Sequence, residues 1–122
     1  MIYVASPYTA PSRIVEEQRA IDVARYTSKL IADGFPAFSP IAHGHFIDKC
    51  TDKGKAPDYR RWVLHGLALL STSSEMHVLM LDGWRDSKGV QTEIDYAAQS
   101  QIDVGYYEPS EYRRVDALMS VV

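Results

Sequence analysis

The strongest constraint in this chain is an alternation: short apolar runs of strand length are separated by segments whose apolar residues recur at helical spacing. Ile2-Tyr3-Val4-Ala5 is nearly continuous in its apolarity and breaks at Ser6-Pro7, the pattern of a parallel strand buried on both faces. From Ser12 to Asp33 the residues Ala20, Val23, Ala24, Thr27, Leu30 and Ile31 recur at helical spacing, and Gly34 follows where a C-terminal cap belongs. Phe35 to Ser39 predicts a second strand, stopped by Pro40. The stretch from there to Pro57, rich in Gly, His, Lys, Asp and Pro, predicts a long loop of the kind that is functional or mobile. Trp62, Val63, Leu67 and Leu70 predict a second helix, with Pro57 in its first turn and Gly66 as a weak point in its middle. Met76 to Leu81 is the strongest strand signal. Ser87 can cap a third helix whose Val90, Ile94, Ala97 and Ala98 face the sheet, Ile102 to Tyr107 predicts a fourth strand, and a short helix is expected after Pro109.

The resulting order, β-α-β-α-β-α-β-α, predicts a parallel sheet with right-handed crossovers and helices on both faces. A chain of 122 residues fits one domain spanning 1–122, with no repeat or linker to divide it, and its 46% hydrophobic share suffices for a core. A net charge of −3 argues against a protein that grips a nucleic-acid polymer, so any anionic ligand should be small. Cys50, the only cysteine, rules out an intrachain disulfide and a thiolate metal centre. The opening residues lack a basic segment followed by an apolar run, and no stretch approaches the length of a membrane span. A cytoplasmic protein with no membrane partner is the expectation.

Ligands of such sheets bind beyond the carboxyl ends of the strands, and the unusual residues collect there: Ser6-Pro7-Tyr8, Ser39 to His45, and Asp82 to Gly89. In the last of these, a strand runs through a Gly-bearing loop into a helix start, where free backbone N–H groups can dock an anion. Ser87 is either a plain N-cap or a hydroxyl for a phosphate or ribose, and Gly89 permits close approach. Glu93 falls four residues after Gly89, on the same side of the helix, and helical side chains lean back toward the N-terminus. Its carboxylate can therefore reach the site above Gly89, or else it is a solvated helix-face residue. His43 and His45, with Asp48 nearby, lack a clear third ligand, so sugar or base recognition, or a pair of surface imidazoles, is expected of them rather than a metal. Tyr8 and Trp84 could stack on a nucleobase, Trp84 alternatively closing a loop over the core. Arg13, Arg60 and Arg61 read as solvated, each within possible reach of a phosphate.

The runs Ile2-Tyr3-Val4-Ala5-Ser6-Pro7-Tyr8 and Ser87-Lys88-Gly89-Val90-Gln91-Thr92-Glu93, with Ala97 beyond, resemble the nucleoside 2-deoxyribosyltransferase superfamily. Ser39 to His45 and Gly83-Trp84 resemble its small bacterial and phage branches, and the likeness spans roughly residues 2 to 98. The resemblance implies a flavodoxin/Rossmann-like three-layer sandwich with a four- to five-stranded parallel sheet, and a homo-oligomer, dimer or higher. It implies that Glu93 attacks the anomeric carbon of a nucleoside or its 5′-monophosphate, forming a covalent glycosyl-enzyme that water or another base resolves. No cofactor is implied. The Ser87-Lys88-Gly89-Val90 run is similar to that of members acting on monophosphates, with the helix start taking the phosphate. Many members carry an Asp in the helix before the third strand to assist the leaving base; from Arg60 to Ser74 this chain has only His65 near that place. Asp82, at the tip of the third strand, is the better-placed acid, ahead of His65 and Asp58. The departure leaves a second reading open, a non-catalytic nucleotide-binding or sensor module of the same fold.

Overall fold

The structure, a computed structural model, describes residues 1–110. Its elements run β1 (Ile2–Ala5), α1 (Arg13–Ala32), β2 (Ala37–Phe38), α2 (Pro40–Lys49), α3 (Tyr59–Leu70), β3 (Glu75–Leu79), a 3-10 turn (Trp84–Asp86), α4 (Lys88–Gln99) and β4 (Asp103–Tyr107). The strands form a parallel sheet in the order β2-β1-β3-β4 with helices on both faces, a flavodoxin/Rossmann-like three-layer sandwich. The helix expected after Pro109, and Tyr112 with it, lies outside the described residues. No helix among the described residues is long and apolar enough to cross a membrane.

Alternation along β1 sorts the core into two layers, because successive strand side chains point to opposite faces. Ile2 and Val4 pack with Val23, Tyr26 and Leu30 of α1. Tyr3 and Ala5 turn the other way, toward Leu70 of α3 and Val90 and Ala97 of α4. β3 repeats the division, with Met76 and Val78 on the α3–α4 side and Leu79 on the α1 side.

The long loop expected between Pro40 and Pro57 is a correction: its first ten residues are helix α2. The Ser39 hydroxyl accepts from the Ala42 N–H at 3.0 Å and Pro40 occupies the first turn, where its missing N–H costs nothing. Pro40 thus ends β2 and starts a helix. The second strand is accordingly shorter than expected, pairing with β1 only at Ala37 and Phe38. Asp58 is the N-cap of α3, its Oδ1 accepting from the Arg61 N–H at 2.9 Å, so Pro57 precedes that helix and Asp58 is occupied as a cap rather than as an acid. Ala98, expected on the sheet side of α4, is exposed, whereas Val90 and Ala97 are buried.

Candidate active site

The chain leaves β1 toward β2 on one side of the sheet and leaves β3 toward β4 on the other, so the crevice beyond the ends of these adjacent strands is the natural ligand position. A cavity of about 710 Å³ lies there. Its walls come from the β1 end, from α1, α2 and α3, and from the start of α4.

The centre of the cavity is an acid gripped from below. Tyr3 reaches through the α3–α4 layer and its hydroxyl donates a hydrogen bond to Oε2 of Glu93. The contact is possible because α3 carries Gly66 at the crossing: a Cβ there would stand 2.8 Å from the Tyr3 hydroxyl and 3.9 Å from Glu93 Oε2. The apparent weak point of α3 is therefore the residue that lets the pair form. Burial pushes the Glu93 carboxyl up from 4.5 to about 7, the Tyr3 hydrogen bond opposing that rise. Burial, and after it the Glu93 charge, holds the Tyr3 hydroxyl far above its ordinary range, so it stays a donor. Tyr3→Phe should consequently raise the Glu93 pKa further. Activity requiring the ionised carboxylate should then fall about tenfold at neutral pH, as expected for a lost hydrogen bond to a charged group. A carboxyl titration that stays put or moves down in this variant would remove the assigned role of Tyr3.

Above Glu93 stands the start of α4. Ser87 is its N-cap, with Oγ accepting from the Val90 N–H at 3.3 Å, and Ser87, Lys88, Gly89 and Thr92 all line the cavity. The first amides of a helix have no intrahelical acceptor and lie at the positive end of its dipole, so those of Lys88 and Gly89 suit an anionic group. The loop leading here is clasped from behind. Arg19 of α1 donates to the main-chain oxygens of Tyr8 (3.2 Å), Thr9 (2.9 Å) and Asp82 (2.9 Å), joining the loops after β1 and β3. Gly83 is left-handed at φ +89°, and a Cβ on it would meet Arg19 Nη2 at 2.8 Å.

The mouth is polar. The Tyr8 hydroxyl pairs with His45 Nδ1 at 2.7 Å and accepts from Arg13 Nη1 at 2.9 Å, while Arg13 also meets Glu16 at 3.2 Å and Asp48 at 3.4 Å. His45 Nε2 lies 3.7 Å from Glu17. Of the cations read as solvated, Arg13 is thus committed to the cavity rim.

Of the residues singled out in the sequence, Glu93, His65, Ser6, Tyr8, His45, Ser87 and Gly89 line the cavity. Ser6 is buried at the end of β1, its Oγ without a protein partner among the described residues. Asp82, His43 and Trp84 do not line it. Asp82 is exposed at the loop that Arg19 clasps and lies outside the cavity, whereas His65, also exposed, lines it. Trp84 is buried in the α3–α4 core with Arg85 over its ring, which makes it a core residue rather than a stacking platform. His43 and His45 part company because α2 is helical: two residues apart on a helix, they point to opposite sides. Among the described residues no group of three or more potential ligands could hold a metal. Tyr3, Gly66, Arg19, Thr92 and Asp86 were not named as site residues; Tyr3, Thr92 and Asp86 stand inside the runs quoted above and Gly66 is a glycine inside a helix, whereas Arg19 carried no signal.

A family model described as "Domain of unknown function (DUF1937)" matches residues 1–109. That stretch contains every residue of the cavity wall. No curated protein matches the chain.

Proposed function

Because the chain belongs to the DUF1937 family, whose description assigns no activity, we propose a function from the site itself: cleavage or transfer at the N-glycosidic bond of a nucleoside or nucleoside 5′-monophosphate. The observation that carries this reading is the Glu93 carboxylate, held by Tyr3 at the wall of a cavity large enough for a nucleotide, which the start of α4 also lines. Glu93 attacks C1′ of the sugar as the C1′–N bond breaks and its electron pair leaves with the base, which takes up a proton. The resulting glycosyl ester is opened when water or a second base attacks C1′ and frees the carboxylate. Since the ionised form is the nucleophile, the ascending limb of kcat/KM against pH should lie near 7.

Incubation with a panel of ribo- and deoxynucleosides and their 5′-monophosphates, read by chromatography of free base, tests the reading. Base release from at least one is expected. Binding of a nucleotide that is returned unchanged would instead establish the sensor-module alternative. Ser87→Ala should weaken monophosphates more than free nucleosides, by about 1 kcal/mol, because it removes a phosphate hydrogen bond together with some helix capping. Equal losses for both would leave Ser87 as a cap only. A homo-oligomer belongs to the same proposal, supported by the apolar side chains of Phe46, Tyr59 and Leu64 exposed on α2 and α3, as does a cytoplasmic location.

A further inference from the structure

The proposed reaction needs a proton for the departing base, and α3 brings a histidine to the cavity wall. His65 of α3 lines the cavity one residue before Gly66, the point where α3 touches the Tyr3–Glu93 pair. Behind it stands His43 of α2, which lines a separate shallow groove between α1 and β2. The two Nε2 atoms are 3.3 Å apart, while the ring centres are 5.4 Å apart with planes 15° from parallel. The nitrogens are much closer than the ring centres, so the rings meet nitrogen to nitrogen, as in an N–H···N hydrogen bond. Phe38 packs on His43 at 5.1 Å and Trp62 edges against His65 at 5.9 Å.

Resting on the glycosidic reading above, we propose that His65 is the proton donor to the leaving base and that His43 is its positioning residue. An imidazolium donates from both nitrogens. With His43 accepting from Nε2–H, the Nδ1–H of His65 is the proton left to give. As the C1′–N bond breaks, the electron pair that departs with the base takes this proton. His65 is then neutral with its hydrogen on Nε2, still held by His43. In its neutral form His43 has one acceptor nitrogen, and by turning it to the Nε2–H of His65 it selects the tautomer and orients the ring, as a carboxylate does in other catalytic histidine pairs.

Two measurements test this. Imidazole nitrogen–proton correlation spectra of the free protein should show neutral His65 with its hydrogen on Nε2, a mixture of tautomers in His43→Phe, and the Nε2–H form again in His43→Gln, whose amide oxygen can accept. A wild-type His65 protonated on Nδ1 overturns the proposal whatever the activity. In kinetics, His65→Phe should lower kcat about 10²-fold, and His43→Phe about tenfold with His43→Gln recovering most of it. Both losses should disappear on an N7-methylated purine nucleotide, whose positively charged base leaves without a proton. Equal losses on both substrates would overturn the proposal while leaving the glycosidic reading intact. No base release by the wild type from any substrate would overturn both.

Discussion

Glu93→Gln is expected to abolish base release and at the same time to make the protein more stable at neutral pH. The substitution removes the nucleophile, a loss on the order of 10⁴–10⁶-fold where an enzyme depends on one, yet keeps the size of the side chain and an oxygen that can accept from Tyr3. The stability gain follows from the direction of the pKa shift. Glu93 in the folded chain holds its proton up to about 7, whereas the unfolded chain releases it near 4.5. Between those values the folded state binds more protons, so wild-type stability falls as pH rises through the window and the cost is complete above it. The cost is at most about 3 kcal/mol, and glutamine does not incur it. Thermal unfolding at pH 4 and pH 8 should therefore show the variant level with the wild type at low pH and ahead of it at high pH. A variant that loses stability at pH 8, or one that keeps full activity, contradicts the assignment.

Gly66→Ala should separate stability from activity in a different way. On helix propensity alone, alanine inside α3 is favoured by about 1 kcal/mol. Its Cβ, however, would stand 2.8 Å from the Tyr3 hydroxyl, closer than such contacts are found, and Tyr3 is a rigid ring with no exposed surface. Either α3 backs away from the sheet or the hydroxyl leaves Glu93, at about 1–3 kcal/mol for the overpacking. The net stability change is then small. Turnover should fall about 10²-fold or more, because displacing a reacting group by an ångström is enough for that. Combining Gly66→Ala with Tyr3→Phe removes the clashing oxygen and should relieve the overpacking while bringing turnover back only to the tenfold-reduced level of Tyr3→Phe. A doubly substituted protein that regains wild-type rates would show that the Tyr3 hydroxyl serves no purpose in the site.

The parallel sheet was legible because its central strands, β1 and β3, are buried on both faces and read as short apolar runs, broken in β3 only by Glu75 at its start and by His77. α2 was not, since Pro40 carries two meanings, strand stop and helix start, and only the Ser39 cap with the packing of α2 on α1 and β1 decides between them. The start of α4 and the reach of Glu93 follow from helix spacing, and both lie where spacing puts them. The support beneath Glu93 was hidden: Tyr3 sits in a strand whose every residue is buried, and nothing local distinguishes a tyrosine that fills the core from one whose hydroxyl holds a carboxylate. The same holds for His43 and His65, 22 residues apart and brought together only by the crossing of α2 and α3.

Arg19 gives this fold a particular freedom. Its guanidinium holds carbonyl oxygens, which every amino acid supplies, and so the clasp between the loops after β1 and β3 is indifferent to the side chains at positions 8, 9 and 82. Those side chains can diverge, and with the two at positions 8 and 9 whatever the rim of the cavity selects, while the main chain beneath stays in register. Two positions are excluded from that licence, Arg19 itself and Gly83, where any side chain would collide with it. A scaffold arranged in this way can change what it recognises without having to relearn how to hold its shape.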